Sequence, residues 1–167
     1  RNAEWLGIEY LSSVLKKAGH ETMLLFDPGS GDIEYRFKLL DKKFDLTDKM
    51  ISQTKAYKPD LIAFSCLTNL YPWVSKIATR LKREVGVPII VGGLHPTILP
   101  EYVISNPSVD MICVGEGEEA LLELVESMSR GSIDFSIRNI WFKNKGVIIR
   151  NPLRPLMQDL DSLPFPD

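Results

Sequence analysis

The chain has 167 residues, 44% of them hydrophobic and 25% charged, with 20 basic against 22 acidic side chains and a net charge of −2. That is the size and balance of one globular domain with a sizeable core. It lacks the basic excess that a nucleic-acid partner demands, and no apolar run approaches the ~18–20 residues of a membrane span.

In chain order, "AEWLGIEYLSSVLKKAG" puts Trp5, Ile8, Leu11 or Ser12, and Leu15 on one helical face, with Gly19 closing the helix. "HETMLLF" predicts a short strand over 20–26, and 27–44 is irregular, with turn signals in "DPGSGD". "LTDKMISQTKAY" predicts a helix stopped before Pro59, followed by the apolar strand "DLIAFS". "YPWVSKIATRLKREVG" predicts a helix with Val74, Ile77, Ala78 and Leu81 inward. Then come the buried strand "VPIIVGG", a helix of barely two turns in "PEYVISNP", the buried strand "DMICVG", and a helix in "EGEEALLELVESMSRG" closed by Gly131.

Strands alternate with helices, and the strands are nearly continuous apolar runs. That pattern predicts an α/β fold with a doubly wound parallel sheet covered on both faces, of flavodoxin or Rossmann type. After Gly131 the pattern changes. "IRNIWFK", "NKG" and "VIIR" predict an appended antiparallel β-hairpin over about 137–150, packed on the sheet's flank with Trp141 as its anchor. "NPLRPLMQDLDSLPFPD" reads as an extended proline-rich linker. The expected division is an α/β domain over 1–131, a hairpin over 132–150 and a linker over 151–167. Doubly wound domains normally open on a strand. This sequence opens inside a helix and closes on a linker, so a piece of a longer polypeptide is expected. The two cysteines, Cys66 and Cys113, are far apart, form no CxxC, and with two histidines elsewhere supply no zinc spacing. Both lie in or beside apolar runs, the setting of buried thiols in a reducing, cytoplasmic compartment, and the opening residues carry no signal-peptide pattern.

Open parallel sheets bind ligands beyond the carboxyl ends of their strands. Three segments leave that edge: Ser65-Cys66-Leu67-Thr68-Asn69, Gly92-Gly93-Leu94-His95-Pro96-Thr97 and Gly115-Glu116-Gly117-Glu118. Two are rich in glycine, which lets a backbone approach a ligand closely; one supplies hydroxyls and an amide. Each has a plainer reading. Gly92-Gly93 is equally a tight turn, His95 a satisfied loop histidine, Ser65 and Thr68 helix caps, Cys66 an inert thiol, and Glu118 with Glu119 a complement to a helix dipole. Convergence of all three on one edge favours a binding site. "GEGEEA" also fits the GxGxxA dinucleotide fingerprint, but its carboxylates repel a pyrophosphate and no acid-ended strand follows at the right distance.

"PDLIAFSCLT", "VPIIVGGLHPTILPE", "VDMICVGEGEEALLEL" and "DLDSLPFPD" together resemble the cobalamin-binding domain that precedes the catalytic barrel of many radical SAM enzymes. The nearest look-alikes are the anaerobic magnesium-protoporphyrin IX monomethyl ester cyclase and the cobalamin-dependent radical SAM methylases. The resemblance implies a corrinoid over the carboxyl edge of the sheet, with its nucleotide tail beside the strands. By position, Ser65, Leu67 and Thr68 line the tail or the corrin edge. Gly92, Gly93, Leu94, His95 and Thr97 form a second wall. Gly115, Glu116 and Gly117 form a third, with Glu118 holding the loop. The glycines then clear space for a large flat ligand, and Pro96 fixes the loop after it. The DxHxxG motif of the classical cobalamin enzymes is missing, and His95 sits on a different loop, so axial ligation is not carried over to it. The CxxxCxxC that holds a radical SAM 4Fe-4S cluster is missing too. The resemblance therefore implies a non-catalytic module whose parent binds the cluster and S-adenosylmethionine in another domain, for methyl transfer or radical oxidative or cyclising chemistry. The linker leads to that domain, and trimming it leaves cofactor binding intact. A flavodoxin-like nucleotide-binding protein and a ligand-free interaction domain are the alternatives.

Overall fold

The computed structural model describes residues 6–25 and 47–166. Trp5, Phe26 and the irregular stretch over 27–44 lie outside them. The elements in chain order are α1 (Leu6–Lys17), α2 (Thr47–Tyr57), β1 (Ile62–Ser65), α3 (Tyr71–Glu84), β2 (Ile89–Gly92), α4 (Leu94–Ile98), α5 (Pro100–Ser105), β3 (Met111–Cys113), α6 (Glu118–Ser129), β4 (Ile140–Asn144) and β5 (Val147–Arg150). The five strands form one sheet in sequence order. β1, β2 and β3 run parallel; β4 and β5 return antiparallel.

The apolar strand sequences place this sheet between two cores. Successive residues of a strand face opposite sides, so Ile89 and Val91 join one cluster and Ile90 the other. On the first face, Met50 and Ile51 of α2, Val74, Ile77, Ala78 and Leu81 of α3, and Val103 and Ile104 of α5 pack with Ile112. On the second, Ala120, Leu121 and Leu124 of α6 pack with Met111, Cys113, Ile140 and Phe142, with Leu11 and Leu15 of α1 against them. Each fully buried Val, Leu, Ile or Phe contributes about 1.5–3 kcal/mol relative to exposure. The four inward positions predicted for α3 are all buried. Gly131, at φ 81°, ends α6 as its sequence predicts: the Gly131 N–H donates to Met128 O and the Ser132 N–H to Ser127 O, a paired C-cap that satisfies two end carbonyls.

Three expectations are corrected. Residues 20–25 are not a ladder strand. Their apolar side chains suit one, but a strand exists only through a pairing partner; Leu25 instead packs on the first core without pairing. The segment expected as a loop over 94–97 is the one-turn helix α4, tied by Leu99 N–H to His95 O and Thr97 Oγ1 to Gly93 O. Pro96 is tolerated there because a first-turn N–H has no intrahelical partner to lose. The hairpin is not flank packing but a continuation of the sheet, since β4 pairs with β3. Its anchors are Ile140 and Phe142, 0% and 1% exposed, whereas Trp141 points to the other face, is half-buried and carries the Arg150 guanidinium 5.5 Å from its ring centre. Lys145 and Gly146, at φ 49° and 82°, form the two-residue turn whose twist matches antiparallel strands.

The residues beyond the hairpin lie along the sheet's carboxyl edge. Asn151 Nδ2 donates towards the carbonyls of Phe135, Ile137 and Ile140. The Arg154 guanidinium pairs with Glu119 at 3.0 Å and with Glu123.

Candidate functional site

The parallel strands β1, β2 and β3 end side by side, because each is followed by a helix that must return to the opposite edge. The three segments singled out from the sequence therefore meet, and hydrogen bonds stitch them together. The first and second are joined by Cys66 N–H to Gly92 O at 2.8 Å, His95 N–H to Cys66 O at 3.0 Å, and the Thr68 Oγ1–His95 Nδ1 contact at 3.2 Å. Thr97 links the second to the third: its hydroxyl donates to Gly93 O at 2.8 Å and accepts from Gly115 N–H at 3.0 Å.

Gly93 is the tightest point. Its φ of 95° and ψ of −165° lie in a region essentially reserved for glycine. A Cβ there would stand 2.8 Å from Cys66 N, 3.0 Å from Cys66 O and 3.3 Å from Ser65 Oγ. The close approach foreseen at this glycine is made by the protein's own first loop. Gly92 and Gly117 are looser, a Cβ on either meeting nothing nearer than 3.4 Å, and Gly115 is looser still, with Asn139 Nδ2 at 3.8 Å.

Side chains divide into those facing out and those buried beneath. Ser65, Thr68, Leu94, Thr97, Gly115 and Glu116 are exposed, and Leu67, Gly117 and Glu118 half-buried. Leu94 and Ile98, one turn apart on α4, are 54% and 60% exposed, and Leu99 and Tyr102 continue this apolar shelf. His95 is 3% exposed. Its ring lies 4.4 Å from that of Tyr71 and edge-on to Tyr102, and its Nε2 is buried with no hydrogen-bond partner. Burial holds the imidazole below its ordinary pKa, in the neutral form. Burial also pushes the Cys66 thiol up to about 11, and burial with the Glu118 charge pushes Cys113 up to about 12, so both are unreactive as thiolates near neutrality.

Glu116 does not face a ligand freely: its Oε2 accepts the Met157 N–H at 2.9 Å and its carbonyl accepts Asn139 Nδ2 at 2.8 Å. The loop is thus held by Glu116 and Asn139, while Glu118 occupies the first turn of α6. The sequence reading missed Asn139, Tyr71 and Tyr102. A polar residue just before an apolar strand, as in "RNIWF", and aromatics inside helices carry no signal of a site. Among the described residues no cluster of His, Cys, Asp and Glu could hold a metal ion.

Residues 2–125 match the B12 binding domain family, so the chain belongs to it. It is 30% identical to an uncharacterized methyltransferase of Pyrococcus horikoshii over 96% of its own length and 32% of that protein's. It is 25% identical to the anaerobic magnesium-protoporphyrin IX monomethyl ester cyclase of Rubrivivax gelatinosus, over 93% of this chain and 27% of the cyclase. Among solved structures, the cobalamin-dependent S-adenosylmethionine radical enzyme OxsB with aqua-cobalamin bound superposes with a TM-score of 0.73 at 21% identity, over 96% of this chain and 21% of OxsB. The radical S-adenosylmethionine methyltransferase TsrM of Kitasatospora setae, with cobalamin and a [4Fe-4S] cluster bound, gives 0.71 at 17% identity over 95% of this chain and 28% of TsrM. The chain spans about a third or less of these relatives.

Proposed function

We propose that this chain is the cobalamin-binding module of a radical SAM enzyme, with the corrinoid seated on the carboxyl edge of the sheet. The observation that carries the reading is the exposed shelf of Leu94, Ile98, Leu99 and Tyr102 beside the exposed hydroxyls of Ser65 and Thr68. A corrin is broad and largely apolar, with amide side chains at its rim, and such a shelf with hydroxyls beside it suits it. A nucleotide pyrophosphate fits worse, since Glu116, Glu118 and Glu119 stand at the start of α6, where a phosphate would need positive potential.

In this arrangement Leu94 and Leu67 pack against the ring or its edge, and Ser65 and Thr68 hydrogen-bond its amides or tail. Gly115 and Gly117 leave the third wall free of side chains. Bound cobalamin supplies a cobalt centre able to carry an alkyl group or exchange electrons. The His95 ring is stacked beneath the edge, with Nδ1 on Thr68 and Nε2 buried, so it would shape the second wall from below. The 4Fe-4S cluster and S-adenosylmethionine belong to the part of the parent polypeptide beyond this chain, as the radical SAM relatives suggest. The parent's reaction is methyl transfer or radical oxidative or cyclising chemistry.

Hydroxocobalamin added to the chain, followed by gel filtration and a visible spectrum, tests the reading. Wild-type protein should elute coloured. Leu94→Glu should weaken binding by roughly tenfold or more, while stability stays within about 0.5 kcal/mol because the site is exposed. Colourless elution both from this chain and from the longer polypeptide that contains it would overturn the proposal.

A further inference from the structure

The third wall of the edge is held by a residue far from it in sequence. Asn139 is 2% exposed, and each of its four polar heavy atoms is engaged. Its carbonyl accepts Val114 N–H at 2.8 Å, at the end of β3. Its Nδ2 donates to Glu116 O at 2.8 Å. Its N–H donates to Pro152 O at 3.0 Å and its Oδ1 accepts Arg154 N–H at 2.6 Å. Two bonds go to the Gly115–Gly117 turn and its root, two to the segment after the hairpin. That segment returns to the same turn, since Met157 N–H donates to Glu116 Oε2. Arg154 fastens it to α6 through Glu119 and Glu123. The φ of 69° at Asn139 is one that Asn and Asp adopt more readily than other side chains.

We propose that Asn139 is the positioning residue of the third binding loop: it locks the Gly115–Gly117 turn to the 152–157 segment, so that the loop's readiness for ligand depends on how that segment is seated. The assignment of the edge as a cofactor site comes from the preceding section; the lock itself does not depend on it. A residue making only packing contacts would not use all its polar atoms to bridge two segments. On this proposal 152–157 shape the site, against the expectation that trimming 151–167 leaves cofactor binding intact.

Amide hydrogen exchange on the full chain tests the lock without any ligand. Asn139→Gly keeps the backbone conformation and deletes both side-chain bonds. Arg154 N–H loses its own acceptor, so its exchange should accelerate roughly tenfold, about the net worth of one hydrogen bond. Gly115 and Met157, whose N–H groups bond to Thr97 Oγ1 and Glu116 Oε2, should accelerate with it as the turn loosens, while Ile89–Val91 in β2 stay protected. Asn139→Asp retains the acceptor for Arg154 but replaces the donor to Glu116 with an oxygen. Arg154 should then stay protected while Gly115 and Met157 accelerate. Unchanged exchange at Gly115 and Met157 in both variants would overturn the proposal, whatever Arg154 does. A second arm measures hydroxocobalamin affinity. If the turn is correctly placed only about a tenth of the time in Asn139→Gly, apparent affinity falls roughly tenfold. Failure of wild-type protein to bind corrinoid would count against the cofactor reading alone, and the exchange pattern would still decide the lock.

Discussion

At Gly93 the strongest constraint in the candidate site comes from the protein itself. A methyl group there meets the backbone of Cys66 at 2.8 Å, and backbone cannot rotate away. Gly93→Ala should cost about 1–3 kcal/mol for the forbidden dihedrals, and a further ~1–3 kcal/mol for the overlap. Gly115→Ala, at φ 85° with a clear neighbourhood, should cost only about 1–2 kcal/mol. Urea midpoints of the two variants check the order; equal midpoints would show that the loops are not packed as described. A bulky residue at position 93 is therefore a poor probe of ligand volume, and Leu94 is the cleaner one. His95 makes a different statement. Its ring is held neutral, so the unfolded chain binds more protons than the folded one as pH falls below the ordinary histidine value of 6.5. Stability attributable to this site is complete above that value and is lost towards the lower folded pKa. His95→Phe keeps the ring on Tyr71 but cannot titrate. Between pH of about 7.5 and about 5.5, its urea midpoint should fall less than that of wild type. Parallel decline would mean that the imidazole is not withheld from protons.

At the scale of elements, the hairpin is the instructive case. Its two apolar runs were legible as strands, and "NKG" between them as a glycine-containing turn. Which face carries the load was not, because Ile140, Trp141 and Phe142 are all apolar and a one-residue shift exchanges their sides. Pairing with β3 fixes the register, with Met111 opposite Phe142 and Ile112 opposite Trp141. Phe142→Ala should cost about 3–5 kcal/mol, as for other buried phenylalanines. Trp141→Ala should cost less than half of that, since the indole is only half-buried. Thermal or urea unfolding decides; the reverse order would make Trp141 the hairpin's anchor, the role the sequence reading gives it. Arg150, which lies over Trp141, is also paired with Glu101 at 2.7 Å, holding that carboxyl below the usual range. This ties β5 to α5.

For the molecule as a whole, the parallel strands and the helices covering both faces were written in the sequence, because a strand buried on both faces must be apolar almost throughout and a covering helix only on one stripe. The same regularity placed the three segments at one sheet edge, and their residues carried the resemblance that family membership bears out. The sequence did not reveal what each residue in those segments is for. Gly93 is glycine because another loop's backbone lies against it. His95 is turned under the edge by Thr68 and Tyr71. Glu116 is taken up by Asn139 and Met157. These partners lie far along the chain, and no local periodicity encodes contacts between distant segments. Local propensity and hydrophobic pattern act over a few residues, so they determined the elements and the edge where a ligand would sit. Which atoms could face a ligand there was decided only when the chain closed on itself, because Thr97, Glu116 and the loop backbone are bonded to distant partners, Ser65 and Thr68 are left open to solvent, and His95 Nε2 is buried with none.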